Sequence, residues 1–183
     1  MTLKLRISKK ILIFWVCIFL IAFFAIYAYS YFAPIKSFFI DGQKLNFREN
    51  LKEAKNVFVF PNEDEIFNSL FSAAVKNITF VFVDAGEKEN PFYILQEVEI
   101  INKLTFAYSR LNRKVNFNAM EVKSYDNLKG SVFNPVIALV HPKYANDTYV
   151  MYRDYVIYIS GKSYRDFDLA TIKFLMIALG IKI

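Results

Sequence analysis

Apolar and polar positions divide the chain into one long unbroken hydrophobic run followed by many short ones. Residues 11–35, ILIFWVCIFLIAFFAIYAYSYFAPI, contain no charge. A helix of about 20 apolar residues crosses a hydrocarbon core, so this stretch predicts a transmembrane helix that ends at Pro34. Trp15 lies toward one end and Tyr27, Tyr29 and Tyr31 toward the other, where interfacial aromatics belong. Ala28-Tyr29-Ser30 would serve as a signal-peptidase site, but a signal's apolar region runs to only about 7–15 residues, so the reading is an uncleaved anchor.

After the anchor the pattern becomes that of a mixed α/β domain. Ser37–Ile40 and Gln43–Phe47 flank Asp41-Gly42 and predict a hairpin. Residues 48–56 read as a short polar helix or turn, and Val57–Phe60 as a short buried strand. Asn62 and Glu65 have capping-box spacing and open a helix whose apolar face is Ile66, Leu70, Ala73 and Ala74. Ile78–Val83 is continuously apolar, as a central strand would be. A helix follows from about Pro91 to Arg110. Its predicted buried stripe is Leu95, Val98, Ile101, Thr105 and Tyr108, widened by Ile94 and Leu104, with the Glu99–Lys103 pair on the wet side.

Val115–Val122 alternates as a half-exposed strand, and residues 124–131 form a polar loop. Pro135 precedes the apolar strand Val136–Val140. Tyr149–Tyr152 and Tyr155–Tyr158 mirror each other about Arg153-Asp154 as an antiparallel hairpin. The last helix, about Asp166 to Leu179, is capped by Ser163 or Asp166 and stopped by Gly180. Helical crossovers imply parallel strands with right-handed connections. The predicted organisation is a basic tail (1–10), a transmembrane helix (11–35), a hairpin and linker (36–56) and a three-layer, mixed-sheet α/β domain (57–183).

Charge sharpens this picture. Lys4, Arg6, Lys9 and Lys10 supply four of the chain's six net positive charges. The folded part therefore has no basic footprint for nucleic acid, and the positive-inside rule places residue 1 in the cytoplasm and residues 36–183 outside the cell membrane. Composition, 55% hydrophobic with 20 Phe and 12 Tyr, excludes a disordered chain. The one cysteine, Cys17, falls in the predicted span, so the outer domain has no disulfide scaffold. Asn77-Ile78-Thr79 and Asn146-Asp147-Thr148 are glycosylation triplets permitted by that location.

Phe80–Phe92, FVFVDAGEKENPF, places a charged loop after a central strand and before a helix. In open α/β sheets that is where ligands bind. The loop, together with Pro135, resembles the thioredoxin-like arrangement in element order over Val57–Leu179. The resemblance implies that Phe80–Phe92 takes the active-site position and that Pro135, before the closing hairpin, faces it. Gly86-Glu87-Lys88-Glu89-Asn90 stands where the family carries its two thiols, so no disulfide exchange is expected. The candidate loop site is Asp84, Glu87, Glu89, Asn90 and Pro135. As an alternative, the three carboxylates could serve a hydrolase or hold a divalent cation. His141 is the only histidine and reads as a strand-end residue; zinc ligation and nucleotide-binding loops have no matching residues, and no cofactor is expected.

The final helix is apolar nearly all round, more than packing on one side requires. Covered by the domain's own core, it would be sunk inside. Otherwise Phe167, Ile172, Phe174 and Met176, with Tyr152 and Tyr158 of the hairpin, form an interaction face for a protein partner or a second copy. The closing stretch SYRDFDLATIKFLMIALGIKI is similar to the tails of uncharacterised archaeal membrane-anchored proteins, a likeness that implies no function. The expectation is a non-catalytic binding or assembly module in a membrane or cell-surface complex, held to the bilayer through residues 11–35.

Overall fold

The computed structural model describes residues 18–24 and 33–183. Residues 18–24 are helical (α1) with exposed side chains. The rest of the predicted span lies outside the described residues apart from residues 33–35. Among the described residues, no helix is long and apolar enough to cross a membrane. The chain divides into two compact units, 1–34 and 35–183, and residues 36–56 pack into the second.

That unit contains β1 (Ser37–Ile40), β2 (Gln43–Asn46), α2 (Leu51–Ala54), β3 (Phe58–Phe60), α3 (Glu63–Phe71), β4 (Asn77–Val83), α4 (Asn90–Arg110), β5 (Asn116–Val122), β6 (Val136–Val140), β7 (Tyr149–Arg153), β8 (Val156–Ser160) and α5 (Tyr164–Leu179). The hairpin β1–β2 turns on Asp41 and Gly42, both at positive φ (49° and 79°), as a primed turn requires. The other strands form one mixed sheet in the order β3-β7-β8-β6-β4-β5. β5, β4, β6 and β8 are mutually parallel, and β7 and β3 run against them. The expectation that helix-linked strands run parallel therefore holds for β4–α4–β5 and fails for β3–α3–β4, whose strands lie far apart and opposed.

The three layers expected from the sequence reduce, for helices, to one face. Ile78 and Phe80 of β4, Ile137 and Leu139 of β6, and Ile157 and Ile159 of β8 share a core with all the helices of this unit. The alternate residues Val81, Val136, Ala138 and Val156 face the other way, beneath Val122, Tyr125 and Leu128. Connection handedness accounts for this. From β4, α4 carries the chain one strand outward to β5, and residues 123–135 bring it back past β4 to β6. Two right-handed crossovers that move in opposite directions must use opposite faces. The helix takes the front, and the irregular segment takes the back.

α5 is the helix the others enclose. It rests on β7 and β8 and touches α2, α3 and α4, while Ile40, Leu45 and Phe47 of the hairpin region complete the same core. Phe167 and Phe174 are 0% exposed, Ile172 1% and Met176 4%. These residues are interior, which corrects their assignment to an interaction face. Tyr152 and Tyr158 belong to opposite faces of the sheet, because Tyr152 packs on the helix-side core and Tyr158 on the back cluster. The one base along the helix after its first turn, Lys173, is also buried: its Nζ donates to Glu63 Oε1 (2.6 Å) and Lys55 O (3.2 Å), tying α5 to α3 and α2. Ser163 caps the helix through Asp166 N–H (3.1 Å). Gly180, left-handed at φ 66°, ends it, with Ile181 N–H returning to Met176 O (2.8 Å) and Ile181 itself buried. Where β8 passes into α5, a Cβ on Gly161 would stand 2.1 Å from Phe167 N, so only glycine fits.

Two local expectations change. α4 buries Tyr93, Gln96, Ile100, Lys103 and Leu104, leaving Ile94, Leu95 and Val98 half exposed. The expected wet pair, Glu99–Lys103, is enclosed because Phe47 and Arg48 lie over it: Lys103 Nζ is 4.9 Å from the Phe47 ring centroid and Arg48 Nε 3.9 Å from Glu99 Oε2. The β7–β8 turn is Asp154-Tyr155 rather than Arg153-Asp154, with both central residues at positive φ (52° and 61°). The left-handed region disfavours a bulky residue such as Tyr155. Hydrogen bonds from Gly130 N–H to Asp154 O and from Val136 N–H to Tyr155 O hold the turn in place.

Because Phe174 is sealed and Phe39 is 65% exposed, Phe174→Ala should cost about 3–5 kcal/mol and Phe39→Ala less than about 0.5 kcal/mol. Urea denaturation followed by far-ultraviolet circular dichroism checks this. Equal small losses would place α5 at a surface.

Candidate functional site

β4 leaves the sheet toward β5 and β6 leaves toward β7, so their connections diverge at the carboxyl ends. Such a divergence is where open α/β sheets form a crevice. Strand pairing there ends at Val81–Ala138, and the candidate loop 84–90 begins just beyond.

The crevice is filled by the chain's own phenols. The Tyr125 hydroxyl enters from the back segment, accepts from Val83 N–H (3.1 Å) and donates to Leu139 O (2.5 Å), standing where a further ladder bond between the strands would be. Tyr93, from the second turn of α4, donates to Val83 O (3.0 Å), and its hydroxyl lies 3.2 Å from that of Tyr125. Tyr144 donates to Asp84 O (2.5 Å) and Lys143 Nζ to Ala85 O (3.3 Å). The carbonyls at residues 83, 84, 85 and 139 are thus all engaged. Burial pushes the Tyr93 and Tyr125 hydroxyls above the ordinary phenol range, so both are neutral donors.

The loop itself is a closed clasp. Asp84 Oδ1 accepts from Asn90 Nδ2 (2.8 Å) and Gly86 N–H (2.9 Å), and Asn90 Oδ1 accepts from Ala85 N–H (3.1 Å). The Asn90 and Gly86 donors hold the Asp84 carboxyl below its usual value. α4 begins without a side-chain cap, since Glu89 at the cap position turns to His141, and Pro91 follows in the first turn. Glu89 turns toward His141, with Oε2 3.5 Å from Nε2.

Asp84 and Asn90 come together, as loop-forming groups, and Glu89 sits beside them against His141. Glu87 makes no contact with the other carboxylates of the loop that the structure records. Pro135 is separated from all of them. It precedes β6, its carbonyl accepts from Thr79 N–H (3.2 Å), and since β6 runs parallel to β4 it lies at the opposite end of the sheet from the loop. This corrects its expected place facing the loop: the strand it leads belongs between β4 and β8, outside the closing hairpin. Among the described residues, no group of three His, Cys, Asp or Glu side chains could hold a metal ion. Tyr93, Tyr125 and Tyr144 were not foreseen. Their only sequence signal is tyrosine beside a strand end, and tyrosine is common throughout this chain.

Apolar surface remains bare elsewhere. On the back of the sheet, Phe58 and Phe60 of β3 stand in register with Tyr149 and Met151 of β7, and Met151 with Tyr158 of β8. The cover segment stops short of them. Phe58 is 65% and Phe60 53% exposed. With Asp147 and Thr148 the first four line an open cavity of about 360 Å³. β3 pairs only with β7, so among the described residues its outer edge is unpaired.

A comparison with family models, curated proteins and solved structures finds no match for this chain.

Tyr125→Phe should lower stability by about 1–3 kcal/mol, since it strands Val83 N–H and Leu139 O in a part-buried crevice. Thermal melts of the two proteins at one pH check this, and an unchanged midpoint would show that water replaces the hydroxyl freely.

Proposed function

We propose that this protein is a single-pass membrane protein whose extracytoplasmic α/β domain is a non-catalytic binding or assembly module. The observation that carries the reading is the apolar tile beside the open edge of β3, in which exposed Phe58 and Phe60 adjoin half-buried Tyr149 and Met151. Apolar surface gathered on one sheet face marks an interaction site more often than a solvent face. Phe58 and Phe60 are two residues apart, about 7 Å along a strand, which matches the alternate side chains of an extended peptide. The occupant is accordingly an extended segment of a partner protein, added alongside β3 through main-chain hydrogen bonds.

Chemistry at the loop has less support. Asp84 is spent on closing the loop, and the strand-end crevice is filled with hydroxyls that already have partners. A thioredoxin-like site facing Pro135 loses its basis with Pro135 at the far end of the sheet. The membrane part rests on the uncharged run 11–35 and the four basic residues before it.

A photo-crosslinking residue at Phe60 should give adducts with another protein in native membranes, whereas one at Asn118, exposed on the far edge strand β5, should give none. Phe58→Ser with Phe60→Ser should abolish copurification of that protein while shifting stability by no more than about 0.5 kcal/mol. Absence of adducts at both Phe58 and Phe60 would remove the tile as the contact. Protease added to intact cells should digest the domain and leave a membrane-bound stub; digestion only after rupture would reverse the orientation.

A further inference from the structure

His141 directly follows β6 and is 2% exposed. Its ring is enclosed by Phe92, Tyr93 and Tyr164, at centroid distances of 6.1, 5.3 and 5.4 Å. Nδ1 accepts from Lys143 N–H (3.1 Å), so the proton of the neutral ring is on Nε2. Nε2 has no hydrogen-bond partner and lies 3.5 Å from Glu89 Oε2. The His141 carbonyl accepts from Tyr144 N–H (2.8 Å) and Ala145 N–H (3.1 Å). This turn aims Lys143 and Tyr144 at the carbonyls of Ala85 and Asp84.

We propose that His141 is a proton-operated latch: a proton on Nδ1 breaks the bond from Lys143 N–H, moves the 141–145 turn, and releases the Lys143 and Tyr144 clasps on residues 84–90.

With Nδ1 protonated, two donors would face each other at 3.1 Å, and the turn cannot keep its shape. The charge would also sit in an aromatic enclosure. Glu89, at the start of α4, is the acid near enough to favour it, and Lys143, on the same turn, opposes it. Asp84 is committed to Gly86 and Asn90. The other titratable neighbours are phenols: Tyr93 from α4, Tyr164 from α5, Tyr125 from the back segment and Tyr144 from the turn itself. Burial pushes the imidazole below its ordinary 6.5, with Glu89 partly offsetting the shift. The fold therefore favours the neutral ring. That stabilisation is complete above pH 6.5 and declines as pH falls from there to the folded-state value.

The test uses the full chain in detergent micelles with labelled histidine, where the single histidine gives a single titrating ring. Amide exchange of residues 84–90 and 141–145 is measured in parallel and divided by intrinsic rates. The ring should titrate below 6.5, and exchange in both segments should rise at least tenfold across that midpoint. Glu89→Gln should lower the midpoint further. His141→Asn, whose Oδ1 can replace Nδ1 as acceptor, should keep exchange flat across the same pH range. A midpoint at or above 6.5, protonation without a rise in exchange, or an equal rise in His141→Asn would overturn the latch. If His141→Asn does not fold, the Glu89→Gln arm decides, and an unmoved midpoint overturns it.

Discussion

The domain is organised by the need to keep α5 out of water on every side. A helix with one apolar stripe can lie on a sheet and face solvent; α5 has no such polar side, and twelve of its sixteen residues are buried. Enclosing it takes the sheet below, α3 and α4 alongside, and α2 with the β1–β2 hairpin above. The N-terminal hairpin, which could pass for a linker, is part of that enclosure. Lys173, the buried base of α5, is accommodated because Glu63 and the Lys55 carbonyl meet it there. Removing Glu63 would leave the Lys173 charge poorly solvated.

All the helices of the domain are needed on the α5 side, and the back of the sheet receives only what the return crossover can cover. Residues 123–135 are short and irregular, and they shield Val81, Ala138, Val136 and Val156. The outer strands β7 and β3 lie beyond their reach, which is why aromatic side chains are left bare there. The same segment delivers Tyr125 to the crevice between β4 and β6. One connection thus fills the usual ligand position and leaves the neighbouring face open. These two results favour binding across the sheet face over chemistry at the strand ends.

Nearby loops share their fastenings in a similar way. Asp84, Asn90, Lys143, Tyr144, His141 and Glu89 come from two segments more than fifty residues apart, yet each helps hold the other segment in place. At the far end of α3, Arg113 donates to the carbonyls of Phe71, Ser72 and Val75, which gives the helix C-terminus the partners it lacks within itself. Neither cluster has local spacing that would betray it.

What the sequence by itself determined was local. The hairpin at Asp41-Gly42, the Asn62–Glu65 cap, the Ser163 start and Gly180 stop of α5, and the order of strands and helices all depend on residues within a few positions of one another, where backbone sterics and short-range hydrogen bonds decide. Tertiary structure decided everything that depends on which surfaces meet. α4 has apolar residues on two sides, and only the arrival of Phe47 and Arg48 selected the side holding Glu99 and Lys103. Asp154-Tyr155 accepts a strained turn because Gly130 and Val136 hold it. Pro135 and Asp84 read as neighbours until the parallel pairing of β6 with β4 put them at opposite ends. The physical reason is the same in each case: side-chain chemistry is legible one residue at a time, but burial belongs to pairs of surfaces, and a chain shows its pairings only once its connections have chosen their hand.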